Sequence, residues 1–336
     1  MKSFFKVLWG VLALGCFLAS CSTGEPIQGA PGSGSEAPVF LTCKAVSPRE
    51  ISFQFSHAVR VVSLNFEPVL PVASTSDGAT VNVVLEEALE LGVSITADLL
   101  VEDHAGNTLN VLVPFRARNN SMPKLLITEL RTEYSKPKTE FIEFKALEAG
   151  NLGAIRLYIP GNTKNPLAFE FPPVDVAAGE YILIHLRTPD GETGTTNETG
   201  SNLGLSGGTD AKASARDFWV PGTEKLLHKT DIVYLMDQDD KIIDAVMMSE
   251  NPDSSWSKEA FVTAAELLHQ QGAWTAADGG IPAPKDAVIT ANIKTSLTRS
   301  ISRDETVSDT DSAANWYITA TSGVTPGEPN NPKRFE

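Results

Sequence analysis

Apolar residues along this chain fall in short runs and alternating stretches of the kind β-strands use. Glu50-Ile51-Ser52-Phe53-Gln54-Phe55 alternates strictly and sets Ile51, Phe53 and Phe55 on one side, the pattern of a half-buried strand. Short apolar runs follow at 59–66, 80–85, 93–101 and 108–115. Turn formers such as Ser76-Asp77-Gly78 and Ala105-Gly106-Asn107 separate them. Strands at this spacing predict a small β-sandwich over 39–118. Met122-Pro123 breaks the pattern, and a second β series begins with 125–129 and 140–145. In the latter, Phe141, Glu143 and Lys145 share one face and Ile142 and Phe144 the other, so apolar side chains on both faces predict an interior strand. Runs at 155–159, 168–171, 181–186, 232–236 and 242–246 continue the series to about residue 331.

Two stretches interrupt it. The first, 187–229, holds a Gly/Thr/Ser-rich segment and then Phe218-Trp219-Val220-Pro221. The second, 249–294, contains Trp256 and the one helical signal. Phe261, Ala264, Ala265 and Leu268 fall on a single stripe, with Ser257 as the expected cap, Glu259 in the first turn and Gly272 as the stop. The simplest expectation is that the helix and Trp219 pack on the sandwich and cover a sheet edge. The sharper one is that they frame a recognition surface on a rigid scaffold.

The amino terminus is of another kind. Lys2 and Lys6 precede the uncharged apolar run 7–17, and Leu18-Ala19-Ser20-Cys21 closes it. At about 1.5 Å per residue the run is too short to span a hydrocarbon core of about 30 Å, so residues 1–20 read as a secretory signal. Residues 21–38 are rich in Gly, Pro, Ser and Glu and read as a flexible tether.

Composition narrows the function. The 336 residues are 42% apolar and 21% charged, which suits packed cores rather than disorder. With 42 acids against 27 Lys and Arg, the net charge of −15 argues against a nucleic-acid partner. The signal 1–20 holds Lys2 and Lys6 and no acid, so the chain that follows it is more acidic still. Of the three Cys, Cys16 leaves with the signal, and Cys43, in the first strand-like run, reads as a small buried hydrophobe.

Candidate chemistry is sparse. The His at 57, 104, 185, 228 and 269 form neither a His-x-x-x-His nor a His-Glu-x-x-His pair, so no zinc-hydrolase ligand set is legible. Leu203-Gly204-Leu205-Ser206-Gly207-Gly208 lacks the following lysine of a phosphate cradle and reads as a loop. Asp237-Gln238-Asp239-Asp240-Lys241 starts like a calcium loop. However, Lys241, Ile242 and Met248 stand where an acid or amide, a Gly and a Glu are required, so it reads as a hairpin turn. Asp304-Glu305 and Asp309-x-Asp311 read as solvated loop acids, and His104 as a solvent-facing hairpin residue. No catalytic residue, metal ligand or cofactor site is assigned.

Three resemblances add to this reading. Leu18-Ala19-Ser20-Cys21 resembles the lipobox of bacterial lipoproteins, which implies cleavage before Cys21, a diacylglycerol on its sulfur and often a third acyl chain. Asp103-His104-Ala105-Gly106-Asn107 resembles the Asp-x-x-Gly-Asn hairpin of bacterial immunoglobulin-like domains. Leu126-Ile127-Thr128-Glu129-Leu130, Glu140-Phe141-Ile142-Glu143-Phe144, the 174–184 segment, Ser296-Leu297-Thr298-Arg299, Asn315-Trp316-Tyr317 and Thr325-Pro326-Gly327-Glu328-Pro329-Asn330 resemble, in order, the motifs of lamin-tail domains. The implied architecture is all-β, with two immunoglobulin-like sandwiches over 39–118 and 123–331, the second carrying a helical insertion. The implied role is that of a lipid-anchored envelope protein. It would face the periplasm or the exterior, be held to a membrane by Cys21, and serve a non-enzymatic binding or structural function toward a protein or glycan. An envelope hydrolase with its site in the insertions is the alternative.

Overall fold

A computed structural model describes residues 36–189, 193–293 and 297–335. The signal 1–20, the Leu18–Cys21 motif, most of the tether and Ser296 lie outside the described residues. The protein is all-β; among the described residues it has two large hydrophobic cores, one within 45–117 and one within 125–318, and a small third cluster of Phe141, Tyr181, Leu183 and Ala215.

The first unit comprises β1 (Phe40–Ser47), β2 (Glu50–Glu67), β3 (Val72–Thr75), β4 (Gly78–Leu85), β5 (Ser94–Asp103) and β6 (Thr108–Arg116). The order is β3-β4-β2-β5-β6, with β1 also on β2. The predicted strands 50–55 and 59–66 are one 18-residue strand, because Ser56-His57-Ala58 contains neither Gly nor Pro to break it. Its first half lies between β1 and β4 (Ile51 opposite Ala45 and Val83). After a register shift, its second half pairs with β5 (Phe66 opposite Ala97). One strand thus serves two layers around Ile51, Phe53, Val81, Val83, Ala97, Leu99 and Val101, all fully buried. Cys43 is only half-buried, at the edge of this core rather than inside it.

The second unit runs β7 (Leu125–Arg131), β8 (Phe141–Ala146), β9 (Gly150–Asn151), β10 (Arg156–Tyr158), β11 (Leu167–Glu170), β12 (Asp175–Val176), β13 (Tyr181–His185), β14 (Ala215–Trp219), β15 (Asp231–Met236) and β16 (Ile242–Ser249). Then come α1 (Glu259–Gln271), β17 (Val288–Ile289), β18 (Ile301–Arg303) and β19 (Trp316–Ile318). A six-stranded sheet, β14-β13-β8-β7-β18-β19, and a five-stranded sheet, β11-β10-β15-β16-β17, share one core. EFIEFK is an interior strand, as its two apolar faces predict.

The helical stripe behaves as its spacing requires. Phe261, Ala264, Ala265 and Leu268 are buried, and α1 packs on β15 and β16. Its N-cap is Lys258, one residue later than the expected Ser257, and no side chain caps it. Gly272 ends it in the left-handed conformation, φ 68°, where a Cβ would be strained. Trp274 follows, fully buried, with its indole N–H on the Asp286 carbonyl at 3.0 Å.

The first insertion is less separate than its composition suggests. Its residues 215–219 are β14, parallel to β13, with Leu183 opposite Asp217. The outer edge of β14 is closed by side chains rather than by a strand. The Asp217 N–H donates to Glu198 Oε2 at 2.9 Å and the Trp219 N–H to Asn197 Oδ1 at 2.8 Å. An acceptor on each outward N–H removes the template on which a foreign strand would pair.

The two units meet at the 237–241 turn. The Arg118 guanidinium donates to both oxygens of Asp239 at 2.7 and 2.5 Å. Asn119 and Gln238 exchange backbone and side-chain hydrogen bonds, each at 2.8 Å. The Asn119 amide also reaches the carbonyls of Asn151 and Gly153.

A buried polar layer on the six-stranded sheet

The two faces of the six-stranded sheet differ in chemistry. One carries Ile142, Phe144, Ile182, Ile184 and Phe218 into the shared core. The opposite face carries Glu129 and Arg131 on β7, Phe141 and Glu143 on β8, Leu183 and His185 on β13, Asp217 and Trp219 on β14, and Ser302 on β18, all buried. Two segments cover it, the Gly-rich 193–214 loop and the closing strap 325–330.

At its centre, Glu129 and Glu143 stand directly opposite each other on antiparallel neighbours. A register shift beside Thr128 turns two consecutive side chains inward, so the Thr128 hydroxyl donates to Glu143 Oε1 at 2.7 Å. Ser300 donates to Glu129, and Ser302 does so at 3.4 Å. The strap supplies the rest. The Thr325 N–H lies 3.2 and 3.1 Å from the two Glu129 oxygens, and the Gly327 N–H donates to Glu143 Oε2 at 2.6 Å. Gly327 has φ 74°, and a Cβ there would press on Ala215 and Lys212. Glycine alone lets the backbone approach this closely. Asn330 closes the strap by donating to the carbonyls of Thr128 and Arg303 at 2.8 and 2.9 Å. Burial raises the pKa of Glu129 to about 7. Burial, and then the neighbouring charge of Glu129, raise that of Glu143 well above the ordinary carboxyl range.

Flanking pairs complete the layer. Arg131 donates to Asp210 at 2.5 Å, and Arg187 holds the fully buried Glu140 with two nitrogens. His185 Nε2 lies 2.8 Å from Asp217 Oδ1, and the imidazole stacks on Trp219 with centroids 3.8 Å apart. His185 Nδ1 and Asp217 Oδ2 have no hydrogen-bond partner among the described residues.

The residues marked by sequence fall in different places. The hairpin 103–107 forms as its motif implies. Asp103 accepts from the Asn107 amide and from the N–H groups of Ala105 and Asn107, which pull its pKa down to about 2, and His104 is exposed. The Cys43 thiol is pushed up to about 12 by burial, which makes it a poor nucleophile. Asp239 and Asp240 of the supposed calcium-like turn bind Arg118 and Arg156. Asp309 and Asp311 lie close enough to the buried Asp244 to share an ion. Arg303 already occupies that centre, 2.7 Å from Asp244 and 2.8 Å from Asp309, so a guanidinium stands where an ion shared by the three would sit. Gly204-Leu205-Ser206-Gly207-Gly208 also has the Gly-x-Ser-x-Gly spacing of a serine-hydrolase elbow. It is an irregular loop rather than a strand–turn–helix, and Ser206 Oγ accepts the Trp219 indole N–H at 3.0 Å. The paired glutamates had no signal beyond the alternation of EFIEFK, which placed Glu143 and Phe141 on one face.

Both sheets and their shared core define the second unit as an all-β domain elaborated by one helix. The chain belongs to the family TP_1001_2nd, described as a protein second domain, whose model matches residues 123–318, more than half of its length. It is similar to an uncharacterized protein of Treponema pallidum (strain Nichols), 29% identical over 185 residues, covering 52% of this chain and 45% of that protein. The chain therefore spans less than half the length of this relative. A structural match to dimeric latent PorU from Porphyromonas gingivalis covers 44% of this chain and 16% of that one, at 17% identity and a TM-score of 0.17. No helix among the described residues is long and apolar enough to cross a membrane.

Proposed function

We propose that this is a lipid-anchored cell-envelope protein, tethered through Cys21 and displaying two β units for a non-enzymatic binding or structural role. The observation that carries this is Leu18-Ala19-Ser20-Cys21 at the end of a lysine-led apolar run. Each buried CH₂ of an acyl chain contributes about 0.8 kcal/mol, and stable anchoring takes about two chains, which a diacylglycerol on the Cys21 sulfur supplies. The lamin-tail resemblance of 123–331 supports a display role. The strap motif Thr325–Asn330 and the strand motifs that carry it meet in one buried network that serves the scaffold itself. Metabolic labelling with an alkyne fatty acid tests the anchor. The native chain takes the label and Cys21→Ala does not; label persisting in the variant refutes the proposal.

One cluster favours a second reading, an envelope hydrolase. Ser206, in its Gly-x-Ser-x-Gly loop, contacts Trp219, on which His185, paired with Asp217, stacks. A fluorophosphonate probe that labels the native chain but not Ser206→Ala would establish it; absence of labelling favours the display role.

A further inference from the structure

Two acids fully buried side by side are an unusual thing to place beneath a six-residue strap held by its backbone. Glu129 and Glu143 are both unexposed, and their strands keep them opposite each other whatever their charge. The hydroxyls of Thr128, Ser300 and Ser302 come from the sheet and move with it. The N–H groups of Thr325 and Gly327 come from the strap, and they are what a carboxylate loses if the strap lifts.

We propose that the strap Thr325–Asn330 is a proton-controlled latch over the polar face of the six-stranded sheet. It is closed while one carboxyl of the Glu129–Glu143 pair is protonated and loosened when both ionise. With one proton between them, the pair carries a single negative charge. The strap N–H groups and the sheet hydroxyls then solvate it. When the second proton leaves, two like charges face each other in a space closed to water. The sheet cannot separate them, because β7 and β8 are interior strands. The strap can yield, and water then replaces its two N–H groups.

The surrounding charges do not cancel the second anion. Arg131 is the cation facing Glu129, and Asp210 already neutralises it. Tyr317 also faces Glu129. Glu305 faces Glu143 and adds negative charge, itself held by Lys145, Tyr181 and the Asn330 N–H. On the strap, Glu328 pairs with Lys212 of the covering loop, and the Ser214 hydroxyl donates to the Gly327 carbonyl. These contacts tie the strap to the 193–214 loop, so loosening the strap also frees the inner side of that loop.

The latch does not depend on how the chain is anchored. Hydrogen–deuterium exchange on the full chain in detergent, at pH 5.5 and 8.5, tests it after correction for the intrinsic rates. Protection of the strap amides is expected to fall at least tenfold at the higher pH while that of α1 stays constant. Glu143→Gln and Glu129→Gln, which keep the shape and remove one charge, should hold the strap protected at pH 8.5. Infrared difference spectra of the native chain read the protonated carboxyl stretch directly, so the test survives a variant that fails to fold. Strap protection equal at both pH values, pH dependence persisting in both variants, or no protonated carboxyl in the native spectrum at pH 5.5 would each overturn the proposal.

Discussion

The first unit keeps its charges outside its core and the second builds a layer out of them. Among the described residues of β1–β6, the fully buried side chains are aliphatic or aromatic, and the ion pair Arg60–Glu102 lies on the surface. Asp103 is the buried acid there, and it is satisfied by its own hairpin. The second unit buries Glu129, Glu140, Glu143, Asp217, Asp244, Arg131, Arg187 and Arg303. Burial of apolar surface is indifferent to pH, whereas each buried charge ties folding to a proton or to a partner. The same alternating pattern therefore yields one unit insensitive to its surroundings and another that responds to them.

The sharpest way to break this contrast is to remove one partner of a buried pair. Arg303→Leu leaves Asp244 without its cation in a site of full burial, and should cost the second unit about 3–5 kcal/mol. Urea unfolding followed by Trp fluorescence reports on it, since all five Trp lie outside the first unit and four of them in the second. An apolar truncation is the control. Leu268→Ala removes a fully buried side chain from α1 and should cost about 2–5 kcal/mol at any pH between 5 and 8.

The pH dependence should run in opposite directions in the two units. Glu129 is raised from 4.5 to about 7 and Asp244 from 3.8 to about 6, in both cases by burial. The folded state therefore holds protons that the unfolded chain releases. Their contribution to the second unit is full below about 4 and is lost as pH rises through 6 to 7. Every tenfold difference in proton affinity between the folded and unfolded states is worth about 1.4 kcal/mol. Asp103 is lowered from 3.8 to about 2, chiefly by the Asn107 side chain. Its contribution to the first unit is present above 3.8 and is lost as pH falls toward 2. Amide exchange resolved by segment, at pH 3, 5 and 7.5, should show the hairpin 103–107 loosening at the acid end and the strap 325–330, which lies on Glu129 and Glu143, at the neutral end. Equal slopes in both units would refute the contrast. The smallest effect belongs to the junction. The Arg118–Asp239 pair is partly exposed, and Arg118→Ala should change the stability of either unit by about 0–1 kcal/mol. Small-angle scattering should nonetheless register a broader range of inter-unit distances.

How much of this was legible depended on whether a side chain's place follows from its neighbours in sequence. Ile51, Phe53 and Phe55 declared a strand by alternation, and Phe261, Ala264, Ala265 and Leu268 a helix face by spacing. β14 and β18 were hidden because Arg216-Asp217 and Ser302-Arg303 place charged residues in buried strands, where a period-two apolar pattern is not expected. The merger of 50–55 with 59–66 was hidden because a strand can change partners without any change in composition. The paired glutamates were hidden because EFIEFK shows that Glu143 shares a face with Phe141, but not that Glu129 lies across from it.

The sequence by itself determined the β character, the two runs of strands with the break at Met122-Pro123 and the helix in the second insertion, since each rests on local periodicity or on adjacent residues. Only the tertiary structure decided that Arg303 neutralises Asp244, that Glu198 caps β14 and that Thr325 and Gly327 lie on Glu129 and Glu143. These pairs are separated by tens to nearly two hundred positions or belong to different elements, and the free energy of a charge depends on what stands next to it in space.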